Sequence, residues 1–156
     1  MRYEEYRKLY GELRSPADVE RLSDRYDPRM LDSLFTQKTT REVKRNFYAV
    51  KNSSKKMLKE WQKGKSFMDL SRKYDFPPLL VAMFVFMEDG AGRKEFWSYV
   101  RDPDLLESPE TAAEVREAIR NDIVYSPEAN ARQKERGLWG EGLLHEWLDG
   151  PGVTYR

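Results

Sequence analysis

A helix, a tight turn and a second helix are predicted most clearly by the stretch SFMDLSRKYDFPPLLVAMFVFM, residues 66–87. Ser66 suits the N-cap of the first helix, and Asp69 three residues on completes a short capping box. A brief turn at Asp75-Phe76 leads to Pro77-Pro78, and proline fits the first turn of the following apolar helix. This order is the helix-turn-helix pattern, whose second helix commonly lies in the major groove of DNA.

The second helix of this pattern, Leu79 to Met87, has a poor composition for reading bases. It contains no Arg, Asn or Gln that could reach base edges. We therefore expect this helix to be mostly core. Contacts with a nucleic acid would then come from the preceding helices and loops, and would go to the phosphate backbone rather than to the bases.

Further helices are predicted on the N-terminal side by their capping residues. Ser15-Pro16 and Asp27-Pro28 each place a polar cap before a proline at the first helical position. Thr39 or Thr40 is expected to cap a third helix, so that residues 16–50 would form a three-helix unit. The outer face of that third helix is basic.

Capping residues, prolines and glycines also mark helix starts and ends in the rest of the chain. A helix is predicted from Ser53 or Ser54 to Gly64, a short aromatic helix over 93–101, and others after Ser108-Pro109 and Ser126-Pro127. No sustained alternation of apolar and polar residues indicates a strand in this part of the chain. The predicted fold class is all-α, with helix-turn-helix and three-helix units followed by further helices.

Three regions are predicted along the chain, at residues 1–52, 53–104 and 105–156. The first is an N-terminal helical unit, the second is the helix-turn-helix unit, and the third holds connecting helices. Residues 153–155 have the composition of a strand, and a single strand needs a partner. We therefore expect the chain to stop where an α/β domain would begin.

Charge is unevenly distributed along the chain. Between Thr36 and Asp75 there are 12 Lys or Arg and only four Asp or Glu, although the net charge of the 156 residues is +1. A basic block combined with helix-turn-helix spacing is typical of a protein that neutralises nucleic-acid phosphates. The alternative is that these lysines only solvate helix faces. The predicted phosphate contacts are Lys44, Arg45, Lys51, Lys55, Lys56, Lys59, Lys63, Lys65, Arg72 and Lys73.

Composition excludes several classes of site. The chain has no cysteine, so disulfides and thiolate metal sites are excluded, and the single histidine, His145, cannot form a histidine-based metal site alone. The first ten residues lack the apolar segment of a signal peptide. The longest apolar run, residues 77–87, has about half the length that spans a bilayer. We expect a cytoplasmic protein without a membrane partner.

Three passages carry a resemblance to a known family. They are the helix-turn-helix of residues 66–82, Asn121-Asp122 followed by Tyr125-Ser126-Pro127, and the stretch GLWGEGLL at residues 137–144. In this order and spacing, residues 55–148 resemble the TPD-type nucleases. These are archaeal proteins related to the eukaryotic codanin-interacting nuclease, within the PD-(D/E)XK superfamily.

The resemblance implies N-terminal helix-turn-helix modules that bind nucleic acid and a C-terminal α/β core that cuts it with Mg²⁺. Glu141 matches the helix glutamate that opens this core, but the sequence has no Thr-Pro-Asp and no strand Glu-x-Lys. Pro103-Asp104 and Glu114-Val115-Arg116 are the nearest substitutes. Isolated dipeptides do not supply the convergent ligands that a metal needs.

The predicted function is therefore nucleic-acid binding, with DNA as the main candidate partner and RNA as the alternative. As given, the chain is not expected to be a competent nuclease, to hold a complete metal site or to need a cofactor, whereas Mg²⁺ is implied for the full family enzyme. Metal-dependent cleavage by this chain alone would contradict that expectation.

A helical protein-interaction module is the alternative function. Phe96, Trp97 and Tyr99 would present an aromatic surface to a partner protein or to a second copy in a homodimer. The acidic segment 102–117 would then be able to fold back onto the basic block and mask it.

Overall fold

The computed structural model describes residues 2–122 and 124–135, and all regular structure in this part of the chain is helical. The helices are α1 (Tyr3–Glu12), α2 (Pro16–Leu22), α3 (Pro28–Lys51), α4 (Ser54–Gln62), α5 (Phe67–Tyr74), α6 (Pro78–Glu88), α7 (Arg93–Arg101), α8 (Pro109–Arg120) and α9 (Pro127–Glu135). A 3-10 turn at Pro103–Leu105 lies between α7 and α8. The predicted all-α class is confirmed for these residues. Glu141, His145 and the predicted strand at 153–155 lie outside them.

Helix starts follow the predicted caps. Helices α2, α3, α8 and α9 begin at the proline that follows a Ser or Asp cap. In the α5 capping box, the Ser66 hydroxyl accepts from the Asp69 amide at 3.0 Å, and the Asp69 carboxylate accepts from the Ser66 amide at 3.1 Å. These bonds satisfy amides that have no partner inside the helix.

The ends of α4 and α5 are followed by residues that accept a left-handed backbone. Gly64, predicted to end α4, has a φ of 110°, a value that suits a residue without Cβ. Asp75 ends α5 at φ 50° and ψ 55°, and short polar residues tolerate this region better than bulky ones. The Phe76 amide also closes this turn before α6 by donating to the Ser71 carbonyl at 3.1 Å.

The prediction of a separate helix capped at Thr39 or Thr40 is wrong, because α3 runs unbroken for 24 residues. The Thr40 hydroxyl donates to the Thr36 carbonyl at 2.7 Å, inside the helix, instead of capping a new one. No proline or glycine occurs between Arg29 and Lys51 to break the helix. The predicted three-helix unit over 16–50 is therefore formed by two helices.

The first helix was not predicted from sequence. Tyr6, Leu9 and Leu13 recur at helical spacing, and Leu9 and Leu13 are completely covered in the structure. The Lys38 ammonium on α3 donates to the carbonyls of Tyr10 and Leu13, at 2.7 and 2.9 Å. A lysine thus satisfies carbonyls that the end of α1 leaves unpaired.

Helix α6 lies at the centre of the fold. Its residues from Pro78 to Val85 are all buried, and α4, α5, α7 and α8 pack around it. Helix α3 joins the same core through Phe47, whose ring meets that of Phe84 edge to face at 5.4 Å. Each fully buried aliphatic or aromatic side chain contributes about 1.5–3 kcal/mol. The core is continuous from Leu9 to Tyr125.

In the described part of the chain, no helix is long and apolar enough to cross a membrane. The turn between α3 and α4 lies at Asn52–Ser53. The region boundaries at 52/53 and 104/105 stay predictions.

Candidate nucleic-acid interface

The ten predicted basic residues lie on three successive helices and their turns. Nine of the ten side chains are exposed and Lys51 is half-buried. Lys44, Arg45 and Lys51 are on α3, Lys55, Lys56 and Lys59 are on α4, Lys63 and Lys65 are in the turn that follows, and Arg72 and Lys73 are in the last turn of α5.

Helix α4 separates its apolar and basic residues cleanly. Met57 is buried and Trp61 packs against the core, its ring stacked on Phe67 at 5.5 Å and 8°. At 100° per residue, the four lysines of α4 and its cap fall together on the opposite side of the helix. They are Lys55, Lys56, Lys59 and Lys63, and all four are exposed.

The C-terminal half of α3 presents a second basic face. Val43 and Val50 are buried and Phe47 packs against the core. Lys44 and Arg45 lie away from them on the helical wheel and are exposed. The turn at Asn52–Ser53 connects this face to the start of α4, so basic side chains continue from one helix into the next.

Most of these cations have no acidic partner. Within the described residues, no ion pair or hydrogen bond is made by the side chains of Lys44, Arg45, Lys55, Lys56, Lys59, Lys63 and Lys65. Lys56 lies close enough to Glu60 to contribute to lowering the pKa of that carboxyl. Unpaired exposed cations attract counterions, and a polyanion can displace them.

The last two predicted residues are already in ion pairs. Arg72 pairs with Asp69 at 2.9 Å, and Lys73 pairs with Glu60. Hydrogen bonds from Lys73 and Tyr74 hold the pKa of Glu60 below its usual range. Tyr74 donates its hydroxyl to Glu60 at 2.7 Å, and burial raises the pKa of this tyrosine to about 12. Arg72 and Lys73 are therefore the weakest phosphate candidates of the ten.

The N-terminus of α5 is covered by an acidic side chain from α8. Glu114 accepts from the Phe67 amide at 3.1 Å and from the Trp61 indole at 3.3 Å. Burial raises the pKa of Glu114, and the two donors oppose that rise. This half-buried carboxylate ties α4 and α5 to α8, a contact that the sequence pattern did not indicate because 47 residues separate Glu114 from Phe67.

The N-terminus of α6 is covered in the same way. Its N-cap is Pro77, which has no side-chain acceptor, and the buried Asp122 carboxylate accepts from the Leu79 amide at 3.1 Å. Asp122 also accepts from the Val124 and Tyr125 amides, and burial raises its pKa. Because carboxylates already accept from the Phe67 and Leu79 amides, these two amides are not free to bind phosphate.

The structure brings the two nearest substitutes for the nuclease motifs into contact, because Asp104 pairs with Arg116 of the Glu114–Arg116 triplet. Their two carboxylates do not converge, since Glu114 accepts from Trp61 on α4 and Phe67 on α5. Across the described ranges, no group of three or more His, Asp or Glu side chains could hold a metal ion. The residues in this part of the chain therefore do not fit a Mg²⁺ site, and Glu141 lies beyond it.

A cleft of about 270 Å³ lies beside the turn between α5 and α6. The α1–α2 turn, the middle of α3, the α5–α6 turn and the segment around Asp122 line it, with apolar side chains beside charged ones such as Arg14 and Glu42. Sequence patterns gave no sign of this cleft, since it is formed by segments that are far apart in the chain.

The aromatic surface of the alternative function is largely internal. Phe96 is completely buried and packs on Phe86 at 5.3 Å, so the prediction that it faces a partner is wrong. Trp97 and Tyr99 are half-buried, and Tyr99 donates to Glu95 at 2.7 Å. The acidic segment 102–117 reaches α5 through Glu114, but within the described residues its carboxylates make no ion pair with the ten basic candidates.

No protein-family model, curated protein or solved structure matches this chain.

Proposed function

We propose that this protein binds nucleic acid, with DNA as the main partner, through phosphate contacts made by the basic faces of α3 and α4. The observation that carries the proposal is the set of exposed cations on these two faces that have no acidic partner among the described residues. Phosphate contacts of this kind supply affinity and orientation but little sequence preference.

The buried α6 supports backbone contact over base readout. In a helix-turn-helix that reads sequence, the second helix lies in the major groove and needs an exposed face with polar side chains. Residues 78–85 have no such face. In this proposal α6 is part of the core against which the basic helices α3 and α4 pack.

The resemblance to the TPD-type nucleases implies a role for this binding. In such a nuclease the helical region would hold DNA for a metal-dependent nuclease core. The sequence lacks the Asp and Glu-x-Lys motifs of such a core, so the activity proposed for this chain is binding alone.

A charge-reversal variant tests the proposal. Lys55, Lys56 and Lys59 are replaced together by Glu, and binding of labelled duplex and single-stranded DNA is followed by fluorescence anisotropy. The expected result is a loss of affinity of about 100-fold or more at low salt, because the reversal replaces three phosphate contacts with repulsion.

The matched control reverses three exposed basic residues outside the block, Lys8, Arg25 and Arg29. This control makes the same change in net charge and is expected to retain most of the affinity. Equal losses in both variants would show that net charge, not the α4 face, governs binding. If wild-type protein does not bind DNA or RNA at low salt, the proposal fails.

A further inference from the structure

An exposed aromatic ring lies in the middle of the basic face of α3. Tyr48 is 47% exposed, which is high for a large side chain with a mostly apolar ring. Among the described residues, the other aromatic side chain with a comparably open ring is Tyr3, which lies outside the basic block.

The neighbours of Tyr48 on the helix surface are set by its position in α3. Lys44 and Arg45 lie four and three residues before it, and Lys51 and Asn52 lie three and four residues after it. Residues at these spacings are nearest neighbours on a helix. The Lys51 ammonium is 6.0 Å from the centre of the tyrosine ring. Tyr48 is therefore surrounded by groups that bind phosphate.

The ring of Tyr48 is linked to the core through its chain neighbour Phe47. Phe47 lies nearly perpendicular to Tyr48, at 5.3 Å and 87°, and Phe47 in turn packs edge to face on Phe84 in the core. A ring supported in this way loses little further conformational freedom when a flat partner stacks on it.

The chemistry of this face favours unpaired bases. A stacked base in a duplex does not offer its flat surface to a protein, whereas a single strand does. Aromatic rings between basic residues are the usual means of binding single strands without sequence preference. The basic face from Arg41 to Asn52 is about 16 Å long at 1.5 Å per residue, so phosphates on both sides of one stacked base fall within its reach.

We infer that Tyr48 is a stacking residue for an unpaired base, and that the basic face of α3 binds single-stranded nucleic acid or the unpaired part of a branched one. The inference rests on the proposed function, since the cations around Tyr48 are those that contact phosphate. A partner peptide with an aromatic side chain is the competing occupant, and the strong positive charge favours the polyanion.

The test compares wild type with Tyr48→Ala and Tyr48→Phe, using a labelled oligothymidylate and a duplex of equal length in anisotropy titrations. Loss of the ring in Tyr48→Ala should weaken single-strand binding about tenfold and change duplex binding by less than about twofold. Tyr48→Phe keeps the flat ring and should bind both ligands like wild type. Tyr3→Ala serves as the control for removal of an exposed tyrosine and should also bind like wild type.

Each other outcome overturns the inference in a distinguishable way. Wild type that binds neither ligand contradicts the proposed function itself. If wild type binds both ligands and Tyr48→Ala binds them with the same affinity, only the stacking role is contradicted. If Tyr48→Ala weakens single-strand and duplex binding equally, Tyr48 is only part of the general phosphate-binding surface. If Tyr48→Phe loses as much affinity as Tyr48→Ala, the effect comes from the hydroxyl and not from the ring.

Discussion

At the scale of single residues, the half-buried Glu114 and the buried Asp122 stabilise helices that are distant from them in the sequence. Glu114 and Asp122 satisfy the N-termini of α5 and α6, which lie 47 and 43 residues away in the chain. An acceptor that covers a helix N-terminus stabilises it by about 1 kcal/mol. These two residues therefore fix α5 and α6 to the C-terminal part of the core.

The raised pKa of Glu114 gives a pH dependence with a definite sign. Because burial raises the pKa of the folded form above the ordinary 4.5, the folded protein binds this proton more tightly than the unfolded chain does. The stability contributed by the protonated form is then present below about pH 4.5 and is lost as the pH rises through the folded pKa.

The free energy of unfolding of wild type relative to Glu114→Gln should accordingly fall as the pH rises from about 4 and then level off. Urea unfolding at a series of pH values measures this difference. Gln keeps the shape and an acceptor but does not ionise, so pH effects of other residues cancel in the comparison. A difference that stays constant or grows with pH would contradict the burial of Glu114.

At the scale of elements, local sequence signals were reliable where local chemistry decides the structure. The prolines after Ser15, Asp27, Ser108 and Ser126 mark true helix starts, because a proline without an amide hydrogen fits the first turn. The outward face of α4 was also predictable, because the helical period alone places its lysines on the side opposite Met57.

Tertiary packing decided the elements that sequence did not predict. Thr39 and Thr40 were predicted as caps, yet the helix continues through them, and the Thr40 hydroxyl donates to the Thr36 carbonyl inside the helix. The ion pair of Lys73 with Glu60 and the carboxylates over α5 and α6 join residues at least 13 positions apart. A local pattern carries no information about such pairs.

The continuity of α3 has a direct test in Arg41→Pro. In an unbroken helix this proline removes a hydrogen bond and clashes with the preceding turn, which costs about 3 kcal/mol or more. In a helix capped at Thr40, position 41 would be the first helical residue and proline would be tolerated. Chemical denaturation of Arg41→Pro, compared with Arg41→Ala, distinguishes the two, and equal stability would contradict the continuous helix.

At the scale of the whole molecule, the near-zero net charge hides a separation of charge. The block from Thr36 to Asp75 carries an excess of eight positive charges, and the structure places most of them on exposed faces around a buried α6. The exposed basic side chains lie on the outer faces of α3 and α4 and not on α6.

The most direct measurement is the salt dependence of DNA binding by wild-type protein. Fluorescence anisotropy titrations at several salt concentrations give the slope of log affinity against log salt. If four to six of the unpaired cations contact phosphates on duplex DNA, the slope should lie between about −3.5 and −5.5, and the α4 charge reversal should bring it about 3 closer to zero. A slope near zero, or no binding at low salt, would contradict the account.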